Sequence, residues 1–401
     1  TTFADDIGVS ISKSQKSTLE NKKSLSYHTA KDFGSLSNIV YSANDGDVII
    51  LTGNVYGPNY NLNIKNKELT IVSNDSRYKL TVGCINVDNG KLNLGISGTT
   101  NPFMLYLNSR FSLNNSTLNL YDGACVTDTQ VHNPLINANN TDSEINLYGG
   151  AIKNNKFTSL IENGTKTTLT IDGGEIKNNV SYNGNQYPIC TVKDFKLKSG
   201  CILNNSPFQS IIAQKVTISG GNSNLIIQAN YAAISGGNFT DLSCSNAYIS
   251  GGTINNVSAT NVAVSGKVTI CKLVSSNISV KDKLDKDSRI IVHYDNYKIN
   301  NQQKVVNVKD GIDIRDVFNS FKLSNPNYFV NNKGYVDDTP SHKYEFKDIN
   351  TGIKIFLYGI INDSFEWFPL VHNFKSAFLD WYRLYKNGEF EKKIIFIVRY
   401  Y

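Results

Sequence analysis

The chain has 401 residues, 40 Lys and Arg against 34 Asp and Glu, and a formal net charge of +6. That length admits two or three domains. So mild an excess, with no clustered basic stripe, argues against a nucleic-acid binder. No stretch is apolar for long enough to span a membrane, and the six cysteines and five histidines show no CxxC and no metal-ligand spacing, so no metal or cofactor is expected. The chain starts at Thr1 and its single methionine is Met104, from which a removed leader and an extracellular or cell-surface location are expected.

Residues 1–28 are polar and read as an extended lead-in. A capping segment spans 29–60. Thr29-Ala30-Lys31-Asp32 reads as a helix start, followed by Phe33, Leu36, Ile39 and Val40 at helical spacing. Asn44-Asp45-Gly46-Asp47 breaks that helix, and Val48–Leu51 is a strand. A lid of this kind is needed wherever a repeat stack would otherwise end in an open edge.

Residues 61–285 carry a recurring phrase of two apolar residues at spacing two followed by a glycine corner. It reads Leu118-Asn119-Leu120-Tyr121-Asp122-Gly123, Ile145-Asn146-Leu147-Tyr148-Gly149-Gly150 and Leu169-Thr170-Ile171-Asp172-Gly173-Gly174. Further copies start at Phe195, Val216, Ala232, Ala247 and Val262, and weaker ones at Leu69 and Leu92. The steps from Leu118 onward are 27, 24, 26, 21, 16, 15 and 15 residues, so the coil narrows towards its C-terminal end. Alternation sends the two apolar residues to one side, and glycine permits the corner. One strand and one corner per unit, stacked many times, predict an all-β parallel β-helix. The Asn pairs at 154–155, 178–179, 204–205 and 255–256 are expected to form amide ladders along the axis. Cys125 counts onto the position of Ile152, Ile176 and Ile202 and is expected to face inwards, whereas Cys201 aligns with Ala151 and Glu175. Free thiols are the favoured reading of the cysteines, disulfides the alternative.

The segment Ser42–Leu51 resembles the entry cap of pectin-lyase-like right-handed parallel β-helices. The Gly-Gly-x-Ile-x-Asn-Asn phrases are similar to repeats of adhesin-like surface proteins of Gram-positive bacteria and methanogenic archaea. The resemblance covers about residues 30–285 and implies a right-handed parallel β-helix, with lyases, hydrolases, tailspikes and adhesins all among its hosts.

Beyond residue 285 the periodic corners stop. Residues 286–340 are expected to form a small β-rich module, with a strand at Arg289–Tyr294, a short helix at Asp313–Phe321 and a hairpin around Tyr328–Val336. Residues 341–401 read as a mixed α/β terminal module, in which 374–388 is either a helix or a hairpin turning at Asn387-Gly388.

Two functional readings compete, with a third behind them. Tyr121 and Tyr148 are expected to stack on successive coils near Tyr182, Tyr187 and the His132 loop, either as a platform for sugar rings or as a simple corner contact. This supports a non-catalytic adhesin binding a glycan or a host or partner surface protein. The alternative is a polysaccharide lyase or glycoside hydrolase, with Asp172 and Glu175 as its first candidate catalytic residues; calcium is implied only for the lyase. No second carboxylate stacks on Asp172, which weighs against the enzyme. The third reading is a purely structural appendage.

Overall fold

The computed structural model describes residues 26–96 and 103–292, apart from Arg77, Asn185 and Lys286, together with short strands between residues 296 and 337. It is an all-β parallel solenoid of about ten turns with very little helix. The chain divides into two units, residues 1–243 and 244–401.

The first unit opens with strand β1 (Tyr27–Ala30), helix α1 (Phe33–Ser42) and strands β2 (Val48–Leu51), β3 (Val55–Gly57) and β4 (Leu62–Lys65). Asp32 caps α1: its side chain accepts from the Ser35 amide at 2.8 Å, and the Ser35 hydroxyl accepts from the Asp32 amide at 3.2 Å. Leu36 and Val40 are the helix's buried face, and α1 packs against β1, β3 and β4. Thr29 and Ala30 therefore do not start the helix; they belong to β1, which pairs in parallel with β2. The chain break at Asn44–Asp47 is fastened by Asp47, whose buried carboxylate accepts from the Asn44 amide at 2.9 Å, the Ser26 amide at 3.2 Å and His28 Nε2 at 2.8 Å.

Each wide coil has three strands, where one was expected, and the coils stack as three parallel ladders. The first ladder is the recurring phrase: Ile71, Leu94, Leu120, Leu147, Ile171, Leu197, Ile218 and Ile234 stand in register on successive coils. The second starts from β3 and runs through Lys79–Val82, Phe103–Leu107, Ala124–Thr127, Ala151–Lys153, Glu175–Lys177 and Cys201–Leu203. The third starts from β4 and includes Ile85–Asp88, Phe111–Asn114 and Ile136–Asn137. Ile136 and Asn137 thus form a strand inside the polar stretch Asn133–Asp142. The core lies between the ladders, with Phe103, Phe111, Phe157 and Phe195 fully buried.

Register corrects the reading of Cys125. It pairs with Ala151, while Val126 takes the position of Ile152, so Cys125 shares its column with Ala151, Glu175 and Cys201. The corner before it holds one residue more than the next coil's. That extra residue, Asp122, folds over Gly149, where a Cβ would collide with its carboxylate. All six cysteines are free; only Cys125 and Cys190 are buried.

The Asn ladder forms. Asn154, Asn178 and Asn204 adopt left-handed backbone at φ 57, 55 and 56, turning the chain so that the following Asn points inwards. Asn155 Nδ2 donates to Asn179 Oδ1, and Asn179 Nδ2 to Asn205 Oδ1, both at 2.9 Å. Asp128 and Thr129 extend the pattern one coil earlier: Asp128 has φ 52, and the Thr129 amide donates to Asn155 Oδ1 at 3.0 Å.

In the second unit, extended backbone continues to Leu284, within an element that runs Asn222–Leu284. Asn255 and Asn256 are exposed and stand apart from the buried ladder. An exposed one runs instead from Asn277 to Asn261 at 2.7 Å and from Asn261 to Asn246 at 2.9 Å. Strand Arg289–Val292 pairs in parallel with the 269–273 stretch, and Phe329–Val330 pairs antiparallel with Val336–Asp337 as a hairpin. Asp313, where a helix was expected to start, belongs instead to a short strand, Ile312–Asp313, antiparallel to Arg289–Val292; residues 314–321 and the terminal module 341–401 lie outside the described residues.

Candidate functional site

The glycine corner fixes where the phrase ends, so the residue after its second apolar position stands at an outer corner on every coil. There the structure stacks Tyr121 on Tyr148, with ring centroids 5.4 Å apart and planes at 26°. Strand register sets the pair, since Tyr121 lies opposite Tyr148. Both rings are half-buried. Burial is the main cause of a raised Tyr121 phenol pKa, with the neighbouring Tyr148 and Glu68 adding to it, so the hydroxyl stays protonated and able to donate.

Beside this corner runs a second amide column that alternation alone does not reveal. Asn93, Asn119 and Asn146 occupy the middle of the phrase, and each is buried. Asn146 Nδ2 donates to Asn119 Oδ1 at 2.9 Å, Asn119 Nδ2 to Asn93 Oδ1 at 2.8 Å, and Asn93 Nδ2 to Glu68 Oε1 at 2.9 Å. The repetition of Asn at this middle position on three consecutive coils is the sequence signal for it.

The next residues in the Tyr column are Asp172 and Lys198, which pair at 3.2 Å; the Ser199 hydroxyl also donates to Asp172 at 3.1 Å. Glu175 lies on the second ladder, with Lys153 Nζ at 3.4 Å. The two candidate acids are thus each engaged by a lysine from an adjacent coil. Among the described residues, no group of three or more His, Cys, Asp or Glu is arranged to hold a metal.

Tyr182 and Tyr187 stand elsewhere, between the second and third ladders. Tyr182 packs on His132, ring centroids 3.6 Å apart, and Lys156 Nζ sits 4.7 Å from the Tyr182 ring centre. Tyr187 is 58% exposed. Tyr121 and Tyr148 therefore make one stacked pair, and Tyr182 makes a separate aromatic corner with His132 and Lys156. Comparison with family models, curated proteins and solved structures gave no match. No relative assigns either corner a role.

Proposed function

We propose that this is a non-catalytic glycan-binding solenoid of the adhesin kind, exported and displayed at a cell surface. The observation that carries this reading is the Tyr121–Tyr148 pair, two half-exposed rings held 5.4 Å apart by strand register. Rings so held offer an apolar surface on which the C–H face of a sugar can lie, and their phenol hydroxyls can hydrogen-bond its hydroxyls. One such contact is weak, about 0.5–1.5 kcal/mol. Useful affinity then comes from several contacts along a polymer or from several copies of the chain. Lysine partners on Asp172 and Glu175 neutralise the acids that a lyase or glycosidase reading would use.

A glycan-array screen of the full chain tests this reading, followed by the Tyr148→Ala variant. Binding that weakens about ten-fold in the variant, the loss of roughly 1.4 kcal/mol, supports it. Cleavage of a bound polysaccharide overturns it in favour of the enzyme, with Asp172 and Glu175 the residues to mutate next. Silence across the array leaves the structural appendage.

A further inference from the structure

Four Asn-Gly pairs stand in the sequence, at 89–90, 163–164, 183–184 and 387–388, and the last lies outside the described residues. In such a pair the glycine nitrogen sits within reach of the asparagine side-chain carbonyl carbon, and no Cβ shields it. The fold treats the three described pairs differently. Asn89 and Asn163 hold left-handed backbone at φ 47 and 52. Asn89 Nδ2 donates to Asp88 Oδ1 at 3.2 Å, and Asn163 Nδ2 donates to Asn137 Oδ1 at 3.1 Å. Their glycines are backed by neighbouring coils: a Cβ on Gly90 would come 2.7 Å from the Lys67 carbonyl oxygen, and one on Gly164 2.5 Å from that of Thr191. Asn183 and Gly184 escape both restraints. They are exposed, in a turn that follows strand Val180–Ser181. Among the described residues no hydrogen bond reaches the Asn183 side chain, and a Cβ on Gly184 would meet nothing within 4 Å beyond its chain neighbours. The Gly184 amide makes only a 3.3 Å bond to the Ser181 carbonyl.

We propose that Asn183 is a self-modification site, at which the folded chain exchanges a side-chain amide for a carboxylate without an enzyme. The Gly184 nitrogen gives its proton to hydroxide and attacks Asn183 Cγ. The N–Cγ bond forms, the Cγ–Nδ2 bond breaks, and Nδ2 takes a proton from water and leaves as ammonia. The five-membered succinimide then adds one water at either of its carbonyls. Opening one C–N bond leaves an aspartate at position 183; opening the other leaves an isoaspartate, with the main chain running through the former side-chain carbon. No oxidant or reductant is needed. Either product places a negative charge on the residue after Tyr182, whose ring packs on His132 and holds Lys156 Nζ 4.7 Å from its centre. The aromatic corner thereby changes charge with time, while the buried pairs at 89–90 and 163–164 keep their amides for as long as the coils stay stacked.

The test is incubation of the full chain in mildly alkaline buffer, folded and in urea, followed by trypsin digestion and fragmentation mass spectrometry. Peptides 80–91, 157–166 and 178–193 report the three pairs separately. In the folded chain Asn183 is expected to react about ten-fold faster than Asn89 and Asn163, because those two must first open locally. In urea the three rates converge. Gly184→Ala, whose methyl enters open space and screens the nitrogen, slows loss at Asn183 about ten-fold in both states. Equal rates at the three pairs in the folded chain overturn the proposal. So does a difference that persists in urea, which assigns the selectivity to local sequence and not to the fold. A rate at Asn183 that Gly184→Ala leaves unchanged also overturns it, since the Gly184 nitrogen is then not the attacking group.

Discussion

Replacing Asn179 by alanine tests the physics of the buried ladder at its centre. The Asn179 side chain is completely buried and makes four hydrogen bonds. Its Oδ1 accepts from the Asn155 amide at 3.1 Å and from Asn155 Nδ2 at 2.9 Å. Its Nδ2 donates to the Ile152 carbonyl and to Asn205 Oδ1, both at 2.9 Å. Truncation does not strand every partner. Asn155 Nδ2 keeps its bond to the Val126 carbonyl, and Asn205 Oδ1 keeps the Asn179 amide. The Asn155 amide and the Ile152 carbonyl lose these partners inside the wall. At about 1–3 kcal/mol for each of these two buried groups left unmade, Asn179→Ala costs about 2–6 kcal/mol. Asn86→Ala is the control, since it removes only an exposed bond, Asn86 Nδ2 to Asn63 Oδ1 at 2.7 Å, and a part-buried one, Cys84 Sγ to Asn86 Oδ1 at 3.1 Å, and is expected to cost about 1 kcal/mol or less. Urea denaturation gives the difference between the variants. Amide exchange at Asn155 reports the same loss locally, which matters in a repeat stack whose unfolding need not be all-or-none. Equal stabilities for Asn179→Ala and Asn86→Ala, with Asn155 still protected, would refute the reasoning.

Three further outcomes are expected. Gly150→Ala places a methyl 2.5 Å from Leu120 Cβ, inside the stack, and is expected to lower stability by about 1–3 kcal/mol in the same denaturation assay. Burial opposes ionisation of Asp47, but the His28 hydrogen bond and the Asn44 and Ser26 amides outweigh it and hold the carboxyl below its ordinary range. The stability it contributes is complete above the unfolded carboxyl's pKa, about 3.9, and is lost as pH falls through the folded value; thermal melts from pH 6 down to 2 should show Asp47→Asn with a flatter acid limb than the parent. With a thiol-reactive dye, exposed Cys271 should label first, whereas Cys190, buried and with its pKa pushed up to about 12, should stay silent until the protein unfolds.

What could be read from the sequence was whatever translation along the axis repeats. Leu118 and Leu120, the narrowing steps, the Tyr121–Tyr148 stack and the Asn155–Asn179–Asn205 ladder all follow from one phrase recurring on successive coils. The second and third ladders escaped because their strands are short and place as few as one inward residue per coil, as Ile152 and Ile136 do, too little for a period to show. Cys125 was misplaced because counting from the corner cannot see an inserted residue, and Asp122 folds over Gly149 without altering the phrase on either side. Asn93, Asn119 and Asn146 were missed for the opposite reason: alternation marks them as facing water, whereas they are buried and bonded to one another along the axis. Tyr182 lies at a different corner from Tyr148 because the second-ladder strand separates them, a distance that sequence proximity hides.

The most direct measurement of the central claim is a crystal structure of the full chain with an oligosaccharide taken from the glycan array. A glycan-binding solenoid should show a sugar ring lying over Tyr121 and Tyr148, intact, with its hydroxyls bonded to their phenols. A ligand seated between Asp172 and Glu175, or found there as a cleaved product, would contradict it.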